Sequence, residues 1–207
     1  MDELNTPFWS HQDYPFTQFA HDLLINEKAQ QAFLHLQHHS GFNINLVLFS
    51  LWFAKARFGR LSKRNLNLLQ LTIYSWHQRI VVELKYTHEL VMGHSSDIAI
   101  NIKRQLEEEI ERANLIEQRM LVEAKLKMKI NKRNSKQQLD DACASLIHYC
   151  ELKNDLLIPE DKTALTQLLH HVFDDLSISD INNQVDAIFN RTETPELFPT
   201  QLMWEGF

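Results

Sequence analysis

Apolar residues recur every three or four positions along most of this chain, and that spacing predicts α-helices rather than strands. One run of such positions comprises Leu66, Leu69, Ile73, Trp76, Ile80 and Leu84. A longer run comprises Ile98, Ile102, Leu106, Ile110, Ala113, Ile116, Met120 and Ala124. Because Glu, Lys and Arg fill the other faces of the longer run, it predicts an amphipathic helix over residues 97–129 that packs within the chain or as a coiled coil.

Capping residues and helix breakers place the remaining helices. Asn26 predicts the start of a helix that continues to residue 36, because its side chain can accept a hydrogen bond from the first turn. Asn43 predicts the start of an almost wholly apolar, and therefore buried, helix over 46–58, followed by Gly59. Further helices are predicted over residues 62–91, 135–152, 159–173 and 180–190.

Composition narrows the class of protein. The chain has only 4 Gly and 5 Pro in 207 residues, which argues against turn-rich all-β folds and glycine-dependent phosphate-binding loops. The predicted fold is therefore all-α, a single compact multi-helix domain over residues 1–190 with a C-terminal tail over 191–207.

Cysteine usage and hydropathy suggest a compartment. Cys143 and Cys150 are seven residues apart on one predicted helix, about 10 Å along its axis, which is too far for a disulfide. The N-terminus lacks the apolar core of a secretory signal, and the longest apolar run, residues 46–54, is about half of a membrane span. We expect buried, reduced thiols in a soluble cytoplasmic protein with no membrane partner.

Charge is distributed very unevenly along the chain. Residues 28–136 contain 18 Lys and Arg against 9 Asp and Glu, whereas residues 137–207 contain 3 against 13. The net charge of −6 conceals this polarity. Such asymmetry bears on the choice of partners and on association rather than on the fold.

Two basic clusters are the candidate contact with a macromolecular partner. The first comprises Lys55, Arg57, Arg60, Lys63 and Arg64, and the second comprises Lys125, Lys127, Lys129, Lys132, Arg133 and Lys136. Clusters of this kind can follow the phosphate backbone of RNA. The alternative is that the acidic C-terminal third folds over the two clusters and neutralises them.

Three histidines, His35, His38 and His39, share one helical face and are weak candidates for binding zinc. No carboxylate lies near them in the sequence to orient the imidazoles, and histidine near a helix C-terminus is favoured by the helix dipole. We therefore predict no metal and no cofactor. Asn43 and Asn45 either cap the apolar helix or contact a ligand, and capping is the simpler interpretation.

The end of the chain is a further candidate site. Two prolines precede a short segment with large apolar side chains, Leu202, Met203, Trp204 and Phe207. Such a segment can anchor in a groove on another protein. The alternative is that it packs on the core of its own chain.

Four blocks of the sequence occur together. They are Phe8-Trp9-Ser10 with Tyr14; Leu36-Gln37, Gly41 and Asn45-Leu46-Val47-Leu48-Phe49 with Leu51-Trp52; Trp76 with Arg79-Ile80-Val81; and Glu117-Gln118. In this combination the chain resembles a family of small bacterial helical proteins of unknown function, over about residues 8–124 and more weakly to about 170. The resemblance implies a compact helical fold and brings no established activity, cofactor or catalytic residue.

The sequence therefore favours a non-enzymatic interaction protein, a monomer or homodimer that binds a macromolecular partner through its charged helices, with the tail as a further candidate contact. A protein is the favoured partner. Two alternatives stay open. One is an RNA- or ribosome-associated factor that uses the basic clusters. The other is a small-molecule enzyme with an apolar pocket near Trp52 and Trp76, for which no catalytic residues are assigned.

Overall fold

The computed structural model describes residues 15–153 and 158–193, with side chains through residue 187. Within these residues the chain is all-α and contains no strand, as predicted. The elements are α1 Pro15–Leu24, α2 Glu27–His38, α3 Ile44–Lys55, α4 Lys63–Trp76, a π-helical turn His77–Val81, α5 Val82–Met92, α6 Asp97–Glu123, α7 Ser135–Lys153, α8 Pro159–Val172 and α9 Ile178–Glu193. The π-helical turn joins α4 to α5 without a break.

Short polar side chains begin four of the helices. Asn26, Asn43, Ser62 and Ser96 each accept a hydrogen bond from the backbone N–H three residues later. Each bond satisfies one of the amide groups that the first turn of a helix leaves without a partner. The helix starts predicted at Asn26, Asn43 and Ser62 are therefore confirmed.

Helix α3 is the buried centre of the fold. Every residue from Asn45 to Ala54 is buried, as expected for a helix that is apolar on all sides. Helices α1, α2, α4, α6 and α7 pack around it. Phe16 of α1 joins Phe49 and Trp52 of α3 in an aromatic cluster with ring centroids 5.0 to 5.4 Å apart.

The predicted end of α3 at residue 58 is wrong by three residues. The backbone N–H of Phe58 donates to the Phe53 carbonyl and that of Arg57 donates to the Ala54 carbonyl, both at 3.0 Å, which together form a Schellman motif. The Phe53 and Phe58 rings lie 5.2 Å apart and close the motif with an apolar contact. Arg57 has φ +66°, a left-handed conformation that costs a non-glycine residue about 1 kcal/mol.

The predicted end of the long helix at residue 129 is also wrong, because α6 ends at Glu123 and residues 124–134 are non-helical. Exposed and half-buried side chains alternate in this segment, the exposed ones being Lys125, Lys127 and Lys129 and the half-buried ones Leu126 and Met128. This period of two is that of an extended chain. We call residues 124–134 the extended segment.

Helix α5 and the first half of α6 form a helical hairpin, residues 82–110, which we call the arm. Helix α5 packs mainly against α6 and the π-helical turn. Within the described structure no residue of α5 is buried. The buried positions of α6 lie mostly in its second half and include Ala113, Glu117, Gln118 and Leu121. The arm therefore extends beyond the core.

Candidate functional site

A fully buried carboxylate, Glu117 of α6, lies at the centre of a network of polar side chains. Its Oε1 accepts hydrogen bonds from the amide nitrogens of Asn43 at 2.9 Å and Asn45 at 3.0 Å. Its Oε2 lies 2.9 Å from Nδ1 of His77. A buried carboxylate is tolerated only when such donors compensate its lost hydration. We call these residues, with Gln118, the Glu117 network.

Local structure places each member of the network. Asn43 caps α3 through its Oδ1, which leaves its amide nitrogen free to reach Glu117. Asn45 follows in the first turn of α3, and His77 begins the π-helical turn. Such turns occur frequently at functional sites. The capping interpretation is therefore confirmed for Asn43, whereas Asn45 does not cap α3 and instead belongs with Asn43 to a buried polar network.

A cavity of about 640 Å³ opens beside the network, between α1 and α2 on one side and the arm on the other. Its walls are mostly apolar and include Phe33, Ile44, Ile110 and Leu115. Its volume lies within the range of small-molecule binding sites, roughly 300–1,000 Å³. We call it the arm cavity.

Polar groups of the network form one side of the arm cavity. Asn45, Asn114 and Gln118 line it. Because the amide nitrogen of Asn45 donates to Glu117, the orientation of the Asn45 side chain is set. The Asn45 oxygen then accepts a hydrogen bond from Gln118 Nε2 at 3.0 Å. Gln118 Oε1 is then buried without a hydrogen-bond partner among the described residues. An unmet acceptor of this kind is uncommon in a folded core.

Lys85 of α5 also lines the arm cavity. Burial lowers the pKa of its ammonium group, and the negative charge of Glu117 opposes that shift. Lys85 makes no hydrogen bond or ion pair that the described residues show. Its half-buried charge is thus partly desolvated, and no ion pair within the described residues compensates it.

A second, smaller cavity of about 130 Å³ lies on the other side of the network. Its lining includes Asn43, His77, Tyr149 and Lys153. The backbone N–H of Asn43 donates to the Tyr149 hydroxyl at 3.0 Å, which links this side of the network to α7. The Glu117 network therefore separates two cavities.

The two tryptophans proposed to line a pocket line neither of these cavities. Trp52 packs against Phe16, Phe49 and Phe58 in the core. Trp76 donates its indole N–H to the Ala113 carbonyl at 2.9 Å. Both residues hold helices together next to the network.

The fold brings the two basic clusters side by side. The backbone N–H of Asn131, in the extended segment, donates to the Arg57 carbonyl at 2.9 Å, and the Asn131 side chain donates to the Phe58 carbonyl at 3.2 Å. The extended segment with its lysines therefore lies against the loop that follows α3. The separation of the clusters in the sequence hides this proximity.

The acidic C-terminal third neutralises part of this basic surface. Four ion pairs join residues of the two basic clusters to residues of the acidic third. They are Lys55–Asp175, Lys63–Glu151, Arg133–Asp141 and Lys136–Asp180, at 3.5, 3.0, 3.2 and 2.9 Å. Within the described part of the chain, the other candidates make no ion pair; these are Arg57, Arg60, Arg64, Lys125, Lys127, Lys129 and Lys132. The basic surface is thus partly covered and partly exposed.

Two of the three weak metal candidates, His35 and His39, make other contacts. His35 Nε2 lies 2.9 Å from Asp161 Oδ1, and the His35 and His39 rings stack with centroids 4.8 Å apart. Within the described residues, no group of three or more His, Cys, Asp or Glu is arranged to hold a metal ion, so His38 belongs to no such group either. The tail candidates Leu202, Met203, Trp204 and Phe207 lie outside the described residues.

Fold and site together define an all-α protein built around a buried helix, with a carboxylate network beside a cavity. The chain belongs to the family described as "Protein of unknown function (DUF2390)", which matches residues 16–124. No curated protein and no solved structure matches the chain. The match begins in α1 and ends at residue 124, the C-terminal limit of the resemblance over about residues 8–124, and it starts eight residues later. The weaker similarity to about residue 170 lies outside the match.

The matched residues contain the whole Glu117 network and the whole lining of the arm cavity. The second basic cluster, from Lys125 onward, lies beyond them. Among the described helices, none has the length and apolarity needed to cross a lipid bilayer.

Proposed function

We propose that this protein is a non-enzymatic interaction protein that binds another protein on the outer face of α4, α5 and the start of α6. One observation carries the proposal. Of the 16 large apolar side chains that are exposed among the described residues, 11 lie between residues 68 and 102. They are Leu68, Leu71, Tyr74, Ile80, Val82, Tyr86, Leu90, Met92, Ile98, Ile100 and Ile102.

Single exposed apolar residues are ordinary, but a large cluster of them marks an interaction surface. Val82, Tyr86 and Leu90 follow one another at intervals of four residues, so they share one face of α5. Helix α5 packs mainly against α6 and the π-helical turn, and none of its described residues is buried. A partner on this face would bury it and stabilise a helix that now packs on one side only.

The charges on this face indicate the chemistry of the partner. Between residues 68 and 102, leaving out Lys85 because it lines the arm cavity, there are one base, Arg79, and three acids, Glu83, Glu89 and Asp97. The face therefore carries a small negative charge, which disfavours a strongly acidic partner. The partner that fits is a helix with an apolar stripe, docked in the way that amphipathic helices occupy apolar grooves.

Site-specific photo-crosslinking in the cells that make the protein tests this proposal. A photoreactive residue at Leu90 should capture a defined protein, and one at Asn182, exposed on α9, should not. The captured protein, once purified, should bind the wild-type chain at least ten-fold more tightly than the variant Tyr86→Glu with Leu90→Glu. Equal capture at both positions, or capture of a second copy alone, would contradict a separate protein partner.

RNA binding is a second candidate function, favoured by the proximity of the two basic clusters. Exposed lysines occur at every second residue of the extended segment and together cover about 10 Å or more of chain. A row of positive charges of this length can contact successive phosphates. Binding to a labelled oligouridine should weaken steeply with salt. It should be lost in Lys129→Glu with Lys132→Glu and kept in the charge-matched control Lys28→Glu with Arg79→Glu. Binding that survives the first pair of substitutions would exclude these lysines as the contact.

A further inference from the structure

We propose that the arm cavity binds an amphiphile with a carboxylate headgroup, which pairs with Lys85 while its apolar body fills the cavity. This site lies on the inner side of the arm and is independent of the outer face proposed to bind a protein. Nothing in the family description assigns a ligand to it.

The shape and lining of the cavity suit an apolar body. Its volume of about 640 Å³ exceeds what a few waters occupy. Phe33, Ile44, Ile110 and Leu115 lie along its walls, and the exposed side chains of Ile25 and Leu34 lie at the same cavity. Burying an apolar chain against them contributes roughly 25 cal/mol for each Å² removed from water.

The lining of the cavity carries two carboxylates, Glu107 and Glu111, and one ammonium group, Lys85, and both carboxylates already interact within the protein. Glu107 lies 3.3 Å from His88, and Glu117 is held by Asn43, Asn45 and His77. Glu111 and His21, the other titratable groups of the lining, each make an interaction of their own within the protein. Lys85 is therefore the charged group of this lining whose donors find no acceptor in the described structure.

An ammonium group carries three donors and strongly prefers an acceptor when it is removed from water. A carboxylate supplies that acceptor and a counter-charge together, and such charge-assisted hydrogen bonds are the strong ones. Gln118 Oε1, which has no donor among the described residues, belongs to the same lining, but as an acceptor it does not bind the carboxylate. The cavity thus offers a polar end at the network and apolar walls elsewhere.

Three probes with the same apolar chain and different headgroups separate the possible chemistries. We expect decanoate to bind the full-length protein at least ten-fold more tightly than decanol, measured by calorimetry below the micelle concentration. Decylamine should bind more weakly than decanoate. Tighter binding of decylamine, or no binding of any probe, would overturn the proposal.

Lys85→Met tests the named residue with little change of volume. It should abolish the preference for decanoate over decanol while leaving decanol binding within about two-fold. Lys28→Met, which removes the same charge from an exposed position of α2, should keep the full preference. A preference that persists in Lys85→Met would refute the role of Lys85, and melting curves of both variants exclude unfolding as the cause.

Discussion

Two carboxylates, Glu117 and Asp161, are both fully buried, yet their surroundings differ. Asp161 accepts the backbone N–H of Ile158 at 3.0 Å, and its oxygens lie 2.6 and 2.7 Å from the Ser40 hydroxyl. Asp161 thereby caps α8 and links the residues that follow α2 to the start of α8. Glu117 accepts its three hydrogen bonds from side chains only. Two of these side chains lie at the start of α3 and the third begins the π-helical turn.

The neighbours of the two carboxylates show why they are not equivalent. Asn45 lines the arm cavity and His77 lines the smaller one, so the donors of Glu117 face open space. The partner of Asp161, His35, also lines a cavity, of about 260 Å³, so open space beside the partners does not separate the two carboxylates. Asp161 completes a helix cap by accepting the backbone N–H of Ile158, whereas Glu117 accepts hydrogen bonds from side chains. The kind of donor, and not burial with full hydrogen bonding, is therefore what differs between them.

Removing Glu117 should produce the largest effect. Glu117→Ala leaves the donors of Asn43, Asn45 and His77 without their acceptor, and Asn45 is itself buried. Breaking a buried charge network of this kind costs about 3–5 kcal/mol in the free energy of unfolding. Urea denaturation measures it. A loss below about 1 kcal/mol would mean that the donors find water in the adjacent cavities.

Removing Asp161 should cost less. Asp161→Ala deletes the cap of α8, but Ser40 and His35 are only half-buried and can turn to water. We expect a loss of about 2–3 kcal/mol in the free energy of unfolding. The same denaturation experiment checks the order of the two variants. A larger loss for Asp161→Ala would show that helix capping contributes more here than the network does.

Removing the charge of Lys85 should stabilise the protein. Burial lowers the pKa of Lys85, so the folded state disfavours its charged form. Lys85→Met should therefore raise the melting temperature at neutral pH. Because deprotonation relieves the same penalty, this gain should shrink as the pH rises through the folded-state pKa of Lys85 toward its ordinary value. A lower melting temperature at pH 7 would contradict the desolvation of this ammonium.

The smallest effect concerns the thiol nearest Asp161. Burial, and after it the negative charge of Asp161, raises the pKa of Cys150 to about 12. Asp161→Asn removes that charge, so the thiol pKa should fall slightly and alkylation should begin at a lower pH. Cys143, whose pKa is raised to about 12 by burial and then by Asp140, is the internal control. Equal changes at both thiols would indicate loosening of α7 instead.

Local patterns in the sequence predict much of the fold and little of the site. The stripes of apolar residues and the polar caps at Asn26, Asn43 and Ser62 are local signals, so the helices they predict are found. The end of α6 was misjudged because apolar residues continue past Ala124, although their spacing changes from three or four to two. That change of period is the signal that locates the extended segment.

The network and the cavity depend on contacts between residues far apart in the chain. Glu117 is flanked at four-residue spacing by Ala113 and Leu121, which places a carboxylate on the buried side of α6. This spacing is the one local hint of the network. The pairing of Glu117 with Asn45 and His77, and the gap between the arm and α2, arise only from packing, which periodicity does not encode.

The extended segment has a consequence for proteolysis. Five residues after which trypsin cleaves lie within it, and they are Lys125, Lys127, Lys129, Lys132 and Arg133. Its backbone is already extended, as a protease requires of its substrate, whereas the flanking helices must unfold first. Brief digestion should therefore nick the chain here. Because α3 packs against α7 and two ion pairs, Lys55–Asp175 and Lys63–Glu151, cross the cut, the two fragments should leave a sizing column together and separate only in denaturant.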